Sequence, residues 1–168
     1  MIFWYNKTGY FRSYKIRPER TILQMSEHYY TENPTSEIKE KTFTHVIKSA
    51  ELTLTAVSGV FAFEDKVDRA SELLIESFKP SGKSVLDLGC GYGPIGLFIK
   101  SLYRHQSVCL SDINERAMDY ARLNASNNRL EVMTVKSDLF SSFSGVFFDD
   151  IVTNPPYSDF NRFLEHSF

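Results

Sequence analysis

The segment TNPPY, at residues 153–157, carries groups that can hold a planar amino group. Asn154 offers a carboxamide oxygen, and Pro155 and Pro156 offer carbonyl oxygens on backbone that proline stiffens. Tyr157 adds an aromatic face for stacking. An amino group on a heteroaromatic ring is a poor nucleophile, because the ring delocalises the lone pair. Acceptors that bind its hydrogens favour a tetrahedral nitrogen, so these four residues are the candidate catalytic group, and the alternative is a simple strand terminator.

A glycine-rich segment, LDLGCGYGPIG at residues 86–96, follows an apolar run and precedes a predicted helix. Gly91, Gly93 and Gly96 fit the pattern G-x-G-x-x-G, and Gly89 adds a further position without a side chain. Such a loop lets a nucleotide lie against bare backbone at the start of a helix. The alternative is a close contact between helix and strand with no ligand.

Two carboxylates follow the next two predicted strands. Asp112, in SDIN, lies 23 positions after Gly89, where nucleotide-binding α/β folds place a carboxylate that binds ribose hydroxyls. Asp138, in KSDLF, can accept a hydrogen bond from an adenine amino group, with Leu139 against the ring. A helix N-cap at Asp112 and an ordinary turn at Asp138 are the structural alternatives.

Alternating strand and helix patterns place these residues at one edge of a sheet. Apolar runs in SVLDLGC, SVCLSDI, LEVMTVKSDLF and DDIVTNPP predict four strands, and PIGLFIKSLY and NERAMDYARLNASNN predict two helices. This order predicts an α/β fold, a Rossmann-like doubly wound parallel sheet with right-handed crossovers. The carboxyl ends of such strands meet where the strand order reverses. One crevice should therefore be lined by Asp87 or Gly89, Asp112, Asp138 and Asn154.

The region before this core, residues 40–63, predicts a β-hairpin with strands over residues 42–47 and 52–57. A helix should follow, with an apolar stripe at Val67, Ala70, Leu73, Leu74 and Phe78, and Pro80 and Gly82 should end it. In the later helix NERAMDYARLNASNN, the predicted inward positions are Ala117, Tyr120, Ala121 and Leu123.

The composition is typical of a globular domain. The chain has 168 residues, 42% of them hydrophobic and 24% charged, with a net charge of −2, which gives no general affinity for nucleic acid. Its two cysteines, Cys90 and Cys109, have no metal-ligand partners at useful spacing, and they favour a reducing, cytoplasmic setting. No apolar run approaches the ~18 residues that would span a membrane.

A nucleoside site beside acceptors that hold an amino group indicates methyl transfer. From about His28 to Tyr157 the chain resembles the class I S-adenosylmethionine-dependent methyltransferases. It is most similar to the small methyltransferase domain of the ribosomal small-subunit RNA guanine-N2 methyltransferase family. The likeness rests on HYYTENPTSE, SGVFAFEDKVDRA, VLDLGCGYGPIG, SDINERAM, SDLF and TNPPY, in that order.

This resemblance implies that the glycine loop and Asp87 hold the methionine part of the cofactor, that Asp112 binds ribose, and that residues 154–157 present the target amine. Gly59, Val60 and Phe61 match a segment that packs near the cofactor. The implied cofactor-binding residues are Asp87, Gly89, Cys90, Gly91, Gly93, Asp112, Ile113, Asp138, Leu139 and Asn154.

The implied substrate is a guanine N2 amino group of structured RNA, ribosomal by the resemblance, and the reaction needs no metal and no covalent intermediate. Adenine amino groups and glutamine side chains of proteins stay open as alternatives, because all three targets are planar NH₂ groups. A non-catalytic module that binds cofactor or RNA is a third interpretation. A nicotinamide oxidoreductase is a fourth, although it gives the acceptors of TNPPY no use.

The two ends of the chain differ from the pattern of the family that it resembles. Residues 1–24 are aromatic and basic, and we treat them as an extension of uncertain status, either an arm that contacts RNA or a segment before a true start at Met25. The methyltransferase domain would then span residues 25–168, with its Rossmann-like core at residues 65–157. Class I methyltransferases carry three more strands after the TNPPY segment, which the remaining 11 residues cannot form. We therefore expect the fourth core strand to expose an unpaired edge.

Overall fold

The computed structural model describes the backbone of residues 2–6 and 11–14 and the whole of residues 37–155. Four strands and two helices between residues 84 and 153 match the predicted alternation, and the predicted hairpin, with longer strands, and the helix after it are also confirmed. In chain order the elements are β1 (Ile2–Asn6), β2 (Phe11–Tyr14), β3 (Glu40–Ile47), β4 (Ala50–Val57), α1 (Arg69–Ser77), β5 (Ser84–Leu88), α2 (Pro94–Leu102), β6 (Ser107–Asp112), α3 (Glu115–Asn127), β7 (Met133–Lys136) and β8 (Asp150–Thr153).

The main sheet has the strand order β2-β1-β8-β5-β6-β7. Strands β8, β5, β6 and β7 run parallel, and Leu86 at the centre of β5 lies between Cys109 on one side and Ile151 on the other. Because β6 and β7 lie to one side of β5 and β8 lies to the other, the order reverses between β5 and β8. The predicted doubly wound α/β fold is therefore confirmed.

The expectation of an unpaired edge at β8 is wrong. β1 pairs with β8 in antiparallel register, with Phe3 opposite Thr153 and Asn6 opposite Asp150, and β2 continues the sheet outward. The segment IFWYN is rich in β-favouring residues, so its extended form agrees with its composition. Its partner strand lies about 150 residues later, and local patterns do not identify a pairing of that range.

The β3–β4 hairpin forms a separate two-stranded sheet that packs on the helices. Alternate residues of β4 point inward, and Leu52, Leu54 and Ala56 are buried. Asn124 of α3 and Asn128, which follows the last residue of α3, connect the hairpin to the rest of the domain. Fully buried Asn124 accepts from the Thr55 N–H at 2.8 Å and donates to the Thr55 carbonyl at 3.0 Å. Asn128 repeats this pattern with Thr53, at the protein surface.

Helix α3 differs from the prediction at one position. Ala117 and Ala121 are buried as expected and Tyr120 is half-buried, but Leu123 is 42% exposed. The buried stripe instead follows the helical repeat through Ala117, Met118, Ala121 and Asn124, so the polar Asn124 occupies the position given to Leu123. A prediction based on the spacing of apolar residues missed Asn124 because its side chain is polar.

Helix α1 ends at Ser77, before Pro80 and Gly82, as predicted. Of the predicted stripe, Leu74 is buried within the helix, Ala70 and Leu73 are half-buried, and Val67 and Phe78 are buried just outside the helix ends. Within the described residues, no helix combines the length and the apolar character that crossing a membrane requires.

Candidate active site

A pocket opens at the carboxyl ends of β5 and β8, where the strand order reverses. Its lining includes residues from the ends of all four parallel strands: Gly89, Asp112, Asp138 and Asn154. Ile113 and Leu139 also line it, as do Val60 and Phe61 from the segment after the hairpin. The structure therefore brings together the polar residues that the sequence placed at separate strand ends.

The glycine loop adopts backbone conformations that favour glycine. Gly89, Gly91 and Gly93 have φ angles of 71°, 57° and 93°. The Ser111 carbonyl on β6 accepts hydrogen bonds from the N–H groups of both Gly89 and Cys90, at 2.8 and 2.9 Å. A Cβ added at Gly89 would meet nothing within 4 Å, which leaves this part of the backbone open to a ligand. Gly93 does not line the pocket, and it is the N-cap of α2.

Gly96 serves packing rather than ligand binding. A Cβ at this position would lie 2.2 Å from Leu110 Cδ2 and 3.1 Å from Asp87 Oδ2, so only glycine lets α2 approach the sheet this closely. The alternative of a close contact between helix and strand with no ligand therefore applies to Gly96. Gly89 and Gly91, in contrast, border the pocket.

Asp87 lies under the glycine loop and does not line the pocket. Its carboxyl is fully buried, and Oδ2 accepts from the Gly96 N–H at 2.8 Å, while Oδ1 has no hydrogen-bond partner among the residues that the structure describes. Burial and, to a lesser extent, the nearby Asp112 carboxylate raise the pKa of Asp87 to about 7, against the opposing effect of the Gly96 N–H.

Asp112 holds the loop from the neighbouring strand. Its Oδ2 accepts from the Gly91 N–H and its Oδ1 from the Asn114 N–H, both at 2.9 Å. The residue that caps α3 is Asn114, whose Oδ1 accepts from the Ala117 N–H, so the N-cap alternative for Asp112 does not describe this structure. Burial raises the pKa of Asp112, and these backbone N–H groups together with that of Ile113 oppose the rise. Each carboxylate oxygen keeps the capacity to accept a further hydrogen bond from a hydroxyl.

The turn after β7 forms another side of the pocket. The Ser137 hydroxyl donates to the Leu139 carbonyl at 2.8 Å and accepts from the Ser142 N–H at 3.0 Å. These bonds hold Leu139 at a φ of 48°, an uncommon value for a side chain of this size. Asp138 lies in this turn and also lines the pocket. The two interpretations of Asp138, as a turn residue and as a pocket residue, are therefore compatible.

Cys90 lines the pocket as an inert thiol. Burial raises its pKa, and the Asp87 and Asp112 carboxylates add to that rise, so the thiol stays protonated near neutral pH.

Asn154 has a fixed orientation. Its Nδ2 donates to Asp68 Oδ1 at 3.2 Å and to Ser71 Oγ at 3.1 Å. Among the described residues, Asn154 Oδ1 has no hydrogen-bond partner. Pro155 lines the pocket beside it, while Pro156 and Tyr157 lie outside the described residues.

Several residues of the pocket were not predicted from the sequence. Asp68 was an unrecognised member, although an Asp before an apolar helical stripe is a typical N-cap signal. It does cap α1, through bonds to the Ala70 and Ser71 N–H groups. Asn114 links the pocket wall by donating to the Gly59 carbonyl at 2.9 Å. Other lining residues that sequence spacing missed are Ser71, Ile95, Ser137 and Thr153.

Comparisons with known proteins agree with this geometry. The family model of the methyltransferase small domain matches residues 51–164. The chain belongs to the methyltransferase small domain family. It is 42% identical over 136 residues to the "Uncharacterized protein YbxB" of Bacillus subtilis (strain 168), covering 79% of this chain and 67% of that relative.

Two further relatives are longer than this chain. The "Ribosomal RNA small subunit methyltransferase C" of Haemophilus influenzae (strain PittEE) is 38% identical over 137 residues, which cover 79% of this chain and 40% of that protein. A solved structure of the Thermus thermophilus "16S rRNA N2 G1207 methyltransferase (RsmC) in complex with AdoMet and Guanosine" superposes with a TM-score of 0.61 at 30% identity. The superposition covers 74% of this chain and 34% of that one, so the chain spans well under half of these two relatives.

Proposed function

We propose that this chain is an S-adenosylmethionine-dependent N-methyltransferase that acts on a guanine N2 amino group of ribosomal RNA. The observation that carries the proposal is the orientation of Asn154, whose amide nitrogen is held by Asp68 and Ser71 in the pocket that Asp112 also lines. A fixed acceptor for an amine beside a carboxylate for a ribose is the arrangement that amine methylation needs.

The residues of the pocket fit S-adenosylmethionine. Asp112 offers carboxylate oxygens to ribose hydroxyls, Leu139 and Ile113 offer apolar surface to adenine, and Gly89 offers open backbone. Thr153 adds a buried hydroxyl that has no hydrogen-bond partner among the described residues, so a ligand there would satisfy it. When bound, this cofactor supplies a methyl group activated on a positively charged sulfur.

The contribution of the chain itself is alignment. Asn154 Oδ1 would accept from the target amino group, which directs the nitrogen lone pair away from the ring plane. Pro155 lies next to Asn154 in the pocket and extends its wall. Holding two reactants at the right distance and angle can contribute about 7 to 11 kcal/mol to a barrier. No side chain has to form a bond to the substrate.

The choice of substrate rests on the relatives. The names of two of them specify small-subunit ribosomal RNA, and the solved relative contains guanosine and the cofactor together. A ribosomal substrate would also place the protein in the cytoplasm. Adenine amino groups and protein glutamine present the same planar NH₂ group, so they are the competing outcomes of the test.

The test uses the full chain and cofactor labelled on its methyl group. Label should be transferred to small-subunit ribosomal RNA, naked or assembled, and digestion of that RNA should yield N2-methylguanosine. Asn154→Ala should lower the rate of transfer at least a hundred-fold, by about 10² to 10³, whereas Asn128→Ala makes the same change outside the pocket and should retain the original rate. Transfer to duplex DNA or to a glutamine-bearing protein instead would replace the proposed substrate. No transfer to any of them, with cofactor binding retained, would replace the proposed enzyme with a binding module.

A further inference from the structure

The contact between α1 and the end of β8 joins residues far apart in the chain. Asn154 follows β8, and its partners Asp68 and Ser71 precede it by 86 and 83 residues. All three residues line the pocket, and Ser71 is 3% exposed. A buried polar side chain such as Ser71 can determine which atoms of a neighbouring side chain face the pocket.

The chemistry of the partners determines which way the Asn154 amide points. A carboxylate has no hydrogen to donate, so the atom of Asn154 that lies 3.2 Å from Asp68 Oδ1 must be the amide nitrogen. The Ser71 hydroxyl lies 3.1 Å from the same nitrogen and can accept its second hydrogen. With both hydrogens of Nδ2 bound, the opposite end of the amide presents its carbonyl oxygen.

We infer that Asp68 and Ser71 are positioning residues for methyl transfer, because they hold the Asn154 amide so that Oδ1 faces the incoming amino group. The inference rests on the proposed function. If the amide turned over, it would present two donors to an amino group that is itself a donor, and the clamp would be lost. Asp68 and Ser71 thus decide whether Asn154 is an acceptor or a donor at the reacting nitrogen.

Asp68 has a second role that the experiment must separate. The same Oδ1 that accepts from Asn154 also accepts from the Ala70 and Ser71 N–H groups at the start of α1, at 3.0 and 3.1 Å. Asparagine and serine are as good as aspartate at an N-cap. Asp68→Asn keeps both the cap and an acceptor of the original length. Asp68→Ser keeps the cap but withdraws the acceptor from Asn154.

Three variants and a control test the inference by kinetics. Ser71→Ala and Asp68→Ser should each lower kcat by about ten-fold, which corresponds to about 1.4 kcal/mol, near the upper end of the usual contribution of one hydrogen bond. The Kd for S-adenosylmethionine should change by less than about two-fold in both. Asp68→Asn should lose markedly less kcat than Asp68→Ser. Ser77→Ala makes the same change in the same helix, where the hydroxyl donates only to the Leu74 carbonyl, and should leave kcat unchanged.

A second measurement reads the amide directly and does not need activity. In ¹⁵N-labelled protein, the side-chain NH₂ signals of Asn154 are identified by their loss in Asn154→Ala. These signals should shift in Ser71→Ala and Asp68→Ser, and their hydrogens should exchange with water about ten-fold faster than in the unaltered protein, because each variant removes one acceptor. In Asp68→Asn and Ser77→Ala the signals should stay close to their original positions.

The outcomes separate this inference from the proposed function. If Ser71→Ala matches Ser77→Ala in both kcat and the Asn154 signals, the positioning role is refuted while methyl transfer stands. Altered signals with an unchanged kcat would likewise refute it, because the orientation would then not matter to the reaction. If the unaltered chain transfers no methyl group, the proposed function fails, and the amide signals alone decide whether Asp68 and Ser71 orient Asn154.

Discussion

Two sides of the pocket are held in different ways. The cofactor rim, which consists of Gly89, Gly91 and Asp112, is held by hydrogen bonds that involve backbone N–H groups of adjacent strand ends. In the amine rim, which consists of Asp68, Ser71 and Asn154, side chains join the two segments, through two bonds of 3.1 and 3.2 Å from Asn154 Nδ2. The cofactor rim is therefore part of the sheet's own structure, whereas the amine rim depends on a contact between two distant segments.

This difference predicts how each rim responds to substitution. The backbone bonds of the cofactor rim survive most side-chain changes, so its variants should lose affinity gradually. A single side chain carries the acceptor of the amine rim, so its loss should stop the reaction while the cofactor still binds. Four predictions test that contrast, beginning with the largest expected effect.

Removing the acceptor itself should have the largest effect. We expect Asn154→Ala to lower kcat by about 10² to 10³, the range seen when one group that stabilises a transition state is removed. The Kd for S-adenosylmethionine, measured by calorimetry, should change little, because the proposed contacts to the cofactor lie on the cofactor rim. Asn128→Ala serves as the control. Equal losses of kcat and affinity would show that Asn154 is structural and would remove the contrast between the rims.

The second prediction concerns the support of the cofactor rim. Asn124 donates to the Tyr92 carbonyl in the glycine loop at 2.9 Å, in addition to its bonds with Thr55. Asn124→Ala would leave buried backbone groups without partners and should lower the free energy of unfolding by about 3 kcal/mol. Urea titration measures this value.

Asn128→Ala is the matched comparison, because Asn128 makes the same pair of bonds with exposed Thr53. Water can replace a partner lost there, so the expected cost is about 1 kcal/mol. Similar losses of unfolding free energy in Asn124→Ala and Asn128→Ala would mean that burial does not determine how much these contacts stabilise the protein.

The third prediction concerns affinity on the cofactor rim. Asp112→Ala should weaken the binding of S-adenosylmethionine by about 1.5 to 3 kcal/mol, the usual contribution of a hydrogen bond to a charged group. Asp119→Ala removes a carboxylate from the exposed side of α3 and should leave the Kd unchanged. A Kd for Asp112→Ala equal to that of the unaltered protein, from calorimetry on a folded variant, would refute the ribose contact.

The sequence was sufficient to predict that the residues of the cofactor rim lie around one pocket, because each of them belongs to a local pattern. Strand, glycine loop and helix follow each other within residues 84–102, and Asp112 ends the next strand along the chain. Each part is recognisable by the spacing or the type of its residues. Because the carboxyl ends of parallel strands meet where the strand order reverses, the parts are then expected to lie together.

The amine rim was only partly predictable. Asn154 stands out in TNPPY, but the spacing of residues gives no sign that Asp68 and Ser71 reach it. Pairing of β1 with β8 escaped prediction for the same reason, since the partners lie at opposite ends of the chain. Asn124 was missed because a buried polar side chain looks like a surface residue until its partners, Thr55 and Tyr92, are in place. Long-range contacts and buried polar groups are where apolar patterns carry least information.

The fourth prediction uses the pH dependence of folding to test the base of the cofactor rim. Burial holds the pKa of Asp87 at about 7, whereas an Asp in an unfolded chain titrates at about 3.9. Between these values the folded protein keeps a proton that the unfolded chain has released. The contribution of this group to the free energy of unfolding should therefore be highest below about pH 4 and should fall by about 1.4 kcal/mol per pH unit until about pH 7.

Asp87→Asn isolates this contribution, because its amide oxygen can still accept from the Gly96 N–H while the group no longer titrates. Urea titrations of both proteins without cofactor, at several values between pH 4 and 8, give the difference in which all other titrating groups cancel. The advantage of the unaltered protein over Asp87→Asn should shrink as pH rises and level off above pH 7. A difference that stays constant with pH would mean that Asp87 is ionised throughout. The cofactor rim would then be built over a buried charge, as dependent on a single side chain as the amine rim is.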